Sequence, residues 1–352
     1  MGNDRQMVIG NHLINDESDC YVIAEIGHNH QGDLEICKEM FEAAKYAGVD
    51  AVKLQKRDNR TLFTKAVFNR PYDNRNSYGA TYGEHREFLE FGRHEYVELQ
   101  RYAAELKLDF FSTAFDIASA DFLEALDMPA YKIASGDLKT TPLLKHVAGF
   151  GKPMIISTGG ASMDDVRRAC DVVLPVNPHL CIMQCTGGYP PEWEELNLRV
   201  IETLRNEFPE LVIGFSSHDN GIAMAVAGYM LGARIVEKHF TLNRALKGTD
   251  HAFSLEPTGM RKMVRDLRRL QVALGDGRKQ VFSSEKEPIT KMGKSLVAAH
   301  ALKQGHILEI EDIAMKSPGG GLPPYELGSV TGRVLTRDMA EDELIRFDDL
   351  KD

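Results

Sequence analysis

The sequence predicts an α/β protein: a (β/α)8 TIM barrel followed by a small β-rich module. Three observations carry this reading. Eight short β-branched or apolar runs occur within about 275 residues, amphipathic segments separate them, and nearly all eight end in polar side chains. Strands covered on both faces read as near-continuous apolar runs, and a barrel keeps its chemistry at the strand exits. The runner-up is a doubly wound open sheet. No GxGxxG or Walker-type loop follows any early run, which favours the barrel.

The runs are YVIAEIG (21–27), DAVKLQK (50–56), LDFFSTAF (108–115), AYKIASG (130–136), KPMIISTG (152–159), LCIMQCTG (180–187), LVIGFSSH (211–218) and ARIVEKHF (233–240). Segments 33–48, 94–107, 163–174 and 221–232 carry helical periodicity, several with a terminal Gly as stop signal, and 256–277 supplies the closing helix. Asp33 is placed to cap the first helix. Segment 57–92 is polar, aromatic and too long for an ordinary connection, so it reads as a lid over the site, with a disordered excursion as the alternative.

The barrel is thus assigned to 1–277 and a polar, irregular linker to 278–294. Within 295–352, the stretches 295–313 and 332–350 resemble each other: an apolar strand, a polar turn, a second apolar strand and an acidic ending. SPGGGLPP (317–324) divides these halves of a pseudo-symmetric module.

Asp and Glu outnumber Lys and Arg by 52 to 42, a formal charge of -10, which opposes nonspecific binding to nucleic acid or an anionic membrane. An anionic substrate must therefore meet a local cluster of cations. Five cysteines without a CxxC pair give neither a disulfide framework nor a zinc ribbon, and no stretch approaches a membrane span. With no apolar signal core in the first twenty residues, the expectation is a cytoplasmic protein.

Chemistry concentrates at the run exits. In VEKHF, strand alternation places Glu237 and His239 on one face and Lys238 on the other, and Ser216 and His218 repeat that placement one run earlier. Two histidines on neighbouring barrel strands could share a divalent ion, with Glu25, Glu237 or Asp250 supplying hard oxygen; taken alone, each histidine reads more readily as a structural hydrogen-bonded residue, and it is their matching placement that raises the ligand reading. His28 and His30 form a weaker rival pair in a loop. Lys53 and Lys132 lie inside apolar runs, where an ammonium needs an anion: either an internal carboxylate, Glu25 or Glu237, or a bound ligand. Ser135, Ser157 and Ser216, with Gly-rich loops at the same rim, could complete a phosphate or carboxylate cradle.

AEIGHNHQGD, VKLQK, YKIASGD, KPMIISTG, CTGGYP, IGFSSHDNG, VEKHFT, GTDHAFSLEP and SPGGGLPP, in this order along almost the whole chain, resemble the sialic acid synthase family. That family condenses phosphoenolpyruvate with an N-acetylmannosamine-type amino sugar to a nine-carbon 2-keto acid. The resemblance implies a barrel followed by an antifreeze-like (SAF, β-clip) domain, in a domain-swapped homodimer. It implies that His218 and His239 hold a divalent metal, usually Mn2+, with Mg2+ and Co2+ as alternatives. Lys53, Lys132, Ser135, Ser157 and Ser216 would bind phosphoenolpyruvate; Glu25, Glu237, Tyr189 and Asp250 would face the aldehyde sugar and the attacking water. Two departures bear on the acceptor: Gly187 replaces an Asn or Ser, and Ser317 replaces an Arg that contacts the sugar's N-acetyl side. The rival readings are condensation with a shorter aldose phosphate, which would want extra cations such as Arg57 and Arg60, and a non-catalytic sugar-binding barrel.

Overall fold

The computed structural model describes residues 5–352, in two compact units, one ending at Gly275 and one spanning Asp276–Asp352. The first opens with an antiparallel hairpin of β1 (Gln6–Ile9) and β2 (His12–Asn15). Eight parallel strands follow: β3 (Tyr21–Gly27), β4 (Ala51–Lys56), β5 (Asp109–Ala114), β6 (Tyr131–Ile133), β7 (Met154–Ser157), β8 (Leu180–Cys185), β9 (Val212–Ser217) and β10 (Ile235–His239). They close into a barrel in sequence order, β10 pairing with both β9 and β3. Each falls within one of the eight runs read from the sequence. Their residues are almost all buried because the barrel interior covers one face and the helices the other.

The outer helices follow from amphipathic sequence and good caps. In the first, Leu34–Ala47, the Asp33 carboxylate accepts from the Glu35 and Ile36 amides, and the helix stops at Gly48, whose φ of 88° suits glycine. The closing helix, Pro257–Ala273, turns Met260, Met263, Val264 and Leu267 inward.

The hairpin was not anticipated, although Gly10-Asn11 between alternating residues is its turn signal. It buries Met7, Ile9 and Ile14. Its partners lie where strands begin: Arg5 donates to the Leu211 carbonyl at 2.7 Å, and His12 reaches Asp109 at 3.0 Å. Asp109 also accepts from the Tyr21 hydroxyl at 2.7 Å. The hairpin therefore closes the N-terminal end of the barrel, leaving the opposite end open. Segment 57–92 is ordered by three short helices, Asn59–Leu62, Lys65–Phe68 and Tyr82–Leu89, the last with a Thr81/Glu84 capping box.

In the second unit the stretch read as irregular carries a helix, Lys286–Met292. Strand β11 (Ser295–Ala298) pairs with β12 (Ile313–Lys316), and β13 (Val334–Leu335) with β14 (Leu350–Lys351). The acidic segments are single 3-10 turns, Ile310–Asp312 and Phe347–Asp349, leading into β12 and β14. The anticipated second strands reduce to isolated bridges, Ile307 with Val334 and Val297 with Leu344. These two bridges exchange under a shift of 37 positions, and Leu302 bridges Met339, its own counterpart, by reciprocal backbone bonds of 2.9 and 3.0 Å. The repeat is thus a structural pseudo-dyad. Leu296, Leu308, Ile313, Leu335, Ile345 and Leu350 fill its small core.

Candidate active site

All eight barrel strands contribute to one cavity of about 470 Å³. Glu25 comes from β3, Lys53 and Gln55 from β4, Thr113 from β5, Lys132 from β6, Ser157 from β7, Cys185 from β8, Ser216 from β9, and Glu237 with His239 from β10. Ser135, Tyr189, His218 and Asp250 line it from the loops that follow. The eleven site residues implied by the resemblance therefore all line this cavity, at the C-terminal ends of the strands, whereas His28, His30 and Arg60 do not.

At its floor the charges interlock. Lys53 ion-pairs with Glu25, lies 3.7 Å from Glu237, and donates to the Thr113 hydroxyl at 2.8 Å. Gln55 donates to the other oxygen of Glu25 at 2.7 Å. Lys132 donates to the Ser157 hydroxyl at 2.6 Å and the Ile133 carbonyl at 3.1 Å, with its nearest carboxylate oxygen, on Glu237, 3.9 Å away. Ser216 donates to Glu237 at 3.1 Å. The internal carboxylates anticipated for the two lysines are present, but Lys132 has no carboxylate in hydrogen-bond contact. Burial pulls its pKa down, with Glu237 resisting. An anion arriving beside it gains a charge-assisted donor.

The two glutamates differ sharply. Burial pushes both carboxyls up; at Glu237 the charges of Lys132, Lys53 and His239 overcome this and hold its pKa at about 2. At Glu25 burial prevails over Lys53, and its pKa is raised. One is a permanent anion, the other the better proton acceptor.

His218 and His239 stand with ring centroids 5.4 Å apart. Nδ1 of His218 lies 3.0 Å from the Thr186 carbonyl, an arrangement that puts the proton on Nδ1 and leaves Nε2 its lone pair. His239 is pulled down by burial, so its ring is neutral, and its buried Nδ1 has no hydrogen-bond partner. Asp250 lies 3.9 Å from that nitrogen. These donors suit a divalent cation. Among the described residues no three His, Cys, Asp or Glu side chains converge as a metal-binding group, so the imidazole pair is what the chain itself brings together. Lys238 faces away, as the alternation requires, and pairs with Asp219 at 2.9 Å outside the barrel interior.

Of the rival pair, His30 stacks on Phe91 and accepts from the Gly32 amide at 3.0 Å, which is a structural role. Arg57 lines the cavity, whereas Arg60 is largely exposed and pairs with Glu87. Arg86, Phe115 and Phe253 also line the wall and were not singled out from the sequence. Arg86 belongs to TYGEH-R, a helix start within the lid-like segment, and nothing in its local pattern marks it as cavity-facing.

Residues 40–279 match the model of the NeuB family. The chain belongs to the NeuB family. Residues 293–351 match the SAF domain. Among the relatives of this NeuB-family chain is the N-acetylneuraminate-9-phosphate synthase of Homo sapiens, 41% identical over 327 residues, which are 93% of this chain and 91% of that protein. The N,N'-diacetyllegionaminic acid synthase of Legionella pneumophila is 35% identical, over 91% of this chain and 92% of that protein. A crystal structure of N-acetylneuraminic acid (sialic acid) synthetase from Leptospira borgpetersenii, in complex with citrate, superposes with a TM-score of 0.71 at 29% identity, covering 82% of this chain and 96% of that one. The homologues of this NeuB-family enzyme are thus synthases of sialic and related nonulosonic acids. No helix among the described residues is long and apolar enough to cross a membrane.

Proposed function

We propose that the protein condenses phosphoenolpyruvate with the open-chain aldehyde of a 2-acetamido hexose, giving a sialic-acid-type 2-keto acid and phosphate. The observation that carries this reading is the convergence, on one barrel-mouth cavity, of two buried lysines among hydroxyl donors with an imidazole pair and two carboxylates of opposite protonation tendency. The names of the relatives support it.

Lys132, Ser157 and Ser216 bind the anionic groups of phosphoenolpyruvate, and Lys53 holds the adjoining side through its Thr113 and Glu25 contacts. His218 and His239 would hold a divalent ion, Mn2+ in this reading, which would supply Lewis-acid polarisation of the acceptor's aldehyde oxygen. Tyr189 and Asp250 orient the sugar at the rim. As C3 of phosphoenolpyruvate bonds to the aldehyde carbon, positive charge develops at C2, and the anionic Glu237 stabilises it. Glu25 accepts a proton from the water that adds to C2, the former aldehyde oxygen takes up a proton to become a hydroxyl, and the C2 hydroxyl proton is lost as phosphate leaves. The tetrahedral intermediate then expels phosphate by C–O cleavage, leaving the ketone, while the lysines neutralise the leaving group.

The test is phosphate release from phosphoenolpyruvate across a panel of amino-sugar acceptors, with and without a chelator. Acceptor-dependent release that disappears on chelation is the expected result. No release with any acceptor, together with no phosphoenolpyruvate binding by calorimetry, overturns the reading.

A further inference from the structure

The two imidazoles face the cavity, but their backbones are held very differently. His239 is the last residue of β10, and pairing with β3 extends to it, opposite Glu25. His218 stands one residue beyond its strand. The pairing of β9 with β10 stops at Ser217 opposite Lys238, and that of β9 with β8 stops at Ser216. Nδ1 of His218 meets the Thr186 carbonyl, which fixes the rotation of the ring but leaves the path of its backbone unset.

The path is set from the other side of the strands. Lys238 donates to the Asp219 backbone carbonyl at 2.6 Å and to its carboxylate at 2.9 Å. The Ser217 hydroxyl donates to the same carboxylate oxygen. The residue before His239 is thereby bonded to the residue after His218. Farther along the loop, Asn220 takes an exposed bond from Arg244, a looser attachment.

Stability does not account for this pair. Lys238 and Asp219 are each 2% exposed, and apolar residues of similar volume in place of a buried ion pair commonly sustain a fold as well or better. What the ion pair adds is direction, because an ammonium bonded to two oxygens of one loop residue has little freedom. Direction matters beside these rings: two imidazoles share an ion well only when their lone pairs converge.

We propose that Lys238 and Asp219 are positioning residues, tying the loop after β9 to the end of β10 and so setting the 5.4 Å separation of the His218 and His239 rings for a shared divalent ion. Neither residue lines the cavity. The assignment rests on the reading of the imidazole pair as a metal site.

The experiment is calorimetric titration of the whole chain with Mn2+ alone and, separately, with phosphoenolpyruvate alone. In Lys238→Met/Asp219→Asn both partners become neutral at similar volume, so the fold is kept while the tie is lost. Its Mn2+ affinity should fall by about 10- to 100-fold, the usual cost of losing a group that orients a ligand. Its phosphoenolpyruvate affinity should stay within about twofold of the parent's, since Lys53, Lys132 and Ser157 stand on other strands. Asp219→Asn alone is isosteric and keeps the Lys238 bond to the carbonyl, so it should lose Mn2+ affinity by a smaller factor. Parent-strength Mn2+ binding in either variant overturns the assignment, as does an equal loss of phosphoenolpyruvate affinity, the mark of general damage. A parent chain that takes up no Mn2+ removes the metal reading and this assignment with it, and is distinct from a parent and variants that bind alike.

Discussion

Replacing Lys132 by Met keeps most of its volume and removes its charge, so two consequences separate. The first is on Glu237, whose carboxyl is held at about 2 against an ordinary 4.5 by Lys132 ahead of Lys53 and His239, once their charges overcome the burial that pushes it up. A depressed carboxyl contributes stability that is fully present above pH 4.5 and lost as pH falls through about 2. That displacement corresponds to about 3 kcal/mol at neutral pH for the intact cluster. Without Lys132 the folded pKa of Glu237 rises toward its ordinary value, and the pH-dependent contribution shrinks. Urea midpoints measured between pH 3 and 6 should therefore climb less with pH in the variant than in the parent. The second consequence is on binding: the lost donor should raise the KM for phosphoenolpyruvate by roughly 10- to 100-fold. Parallel pH profiles would show that Glu237 does not depend on Lys132, and an unchanged KM would remove Lys132 from the anion cradle.

Three further outcomes follow from the geometry. His239→Ala should abolish chelator-sensitive phosphate release and weaken divalent-ion binding by calorimetry at least about tenfold; undiminished ion binding refutes the assignment of that ring. Lys238→Met leaves Asp219 buried without its 2.9 Å partner and should cost about 3–5 kcal/mol in urea unfolding, most of it recovered on adding Asp219→Asn; full stability of the single variant would refute the pairing. Asp109→Ala removes the acceptor shared by His12 and Tyr21 and should cost about 1–3 kcal/mol without changing kcat; a kcat loss equal to the stability loss would show that the closed end of the barrel communicates with the cavity.

Much of this was legible because a barrel makes burial monotonous: where strands are apolar on both faces, a Lys53 or a His239 stands out. Alternation alone put Glu237 and His239 on one face and Lys238 on the other, and the structure has them so. The cavity residues that went unnoticed come from elsewhere. Arg86 is one basic residue among many in a polar segment, and only the packing of helix Tyr82–Leu89 turns it inward. Local pattern carries no record of such long-range placement. The hairpin had the opposite difficulty: Gly10-Asn11 is a clear turn, but two four-residue strands have little periodicity to read. In the second unit the 37-residue repeat was visible, whereas the apolar runs around Ile307 and Leu344 looked like strands and pair only as single bridges across the pseudo-dyad.

The hairpin that closes the barrel also sets an order of events. Arg5 is synthesised 206 residues before Leu211, whose carbonyl it binds. At about 5–20 residues per second, the two are synthesised roughly 10 to 40 seconds apart. For that interval the Leu211 side of the seal is missing, and the apolar face of Met7, Ile9 and Ile14 is only partly covered. The seal therefore reports on completion of the barrel: it forms only when the seventh barrel strand is in place. Nascent chains arrested before Leu211 should leave this hairpin open to protease, and chains arrested well beyond β10 should protect it.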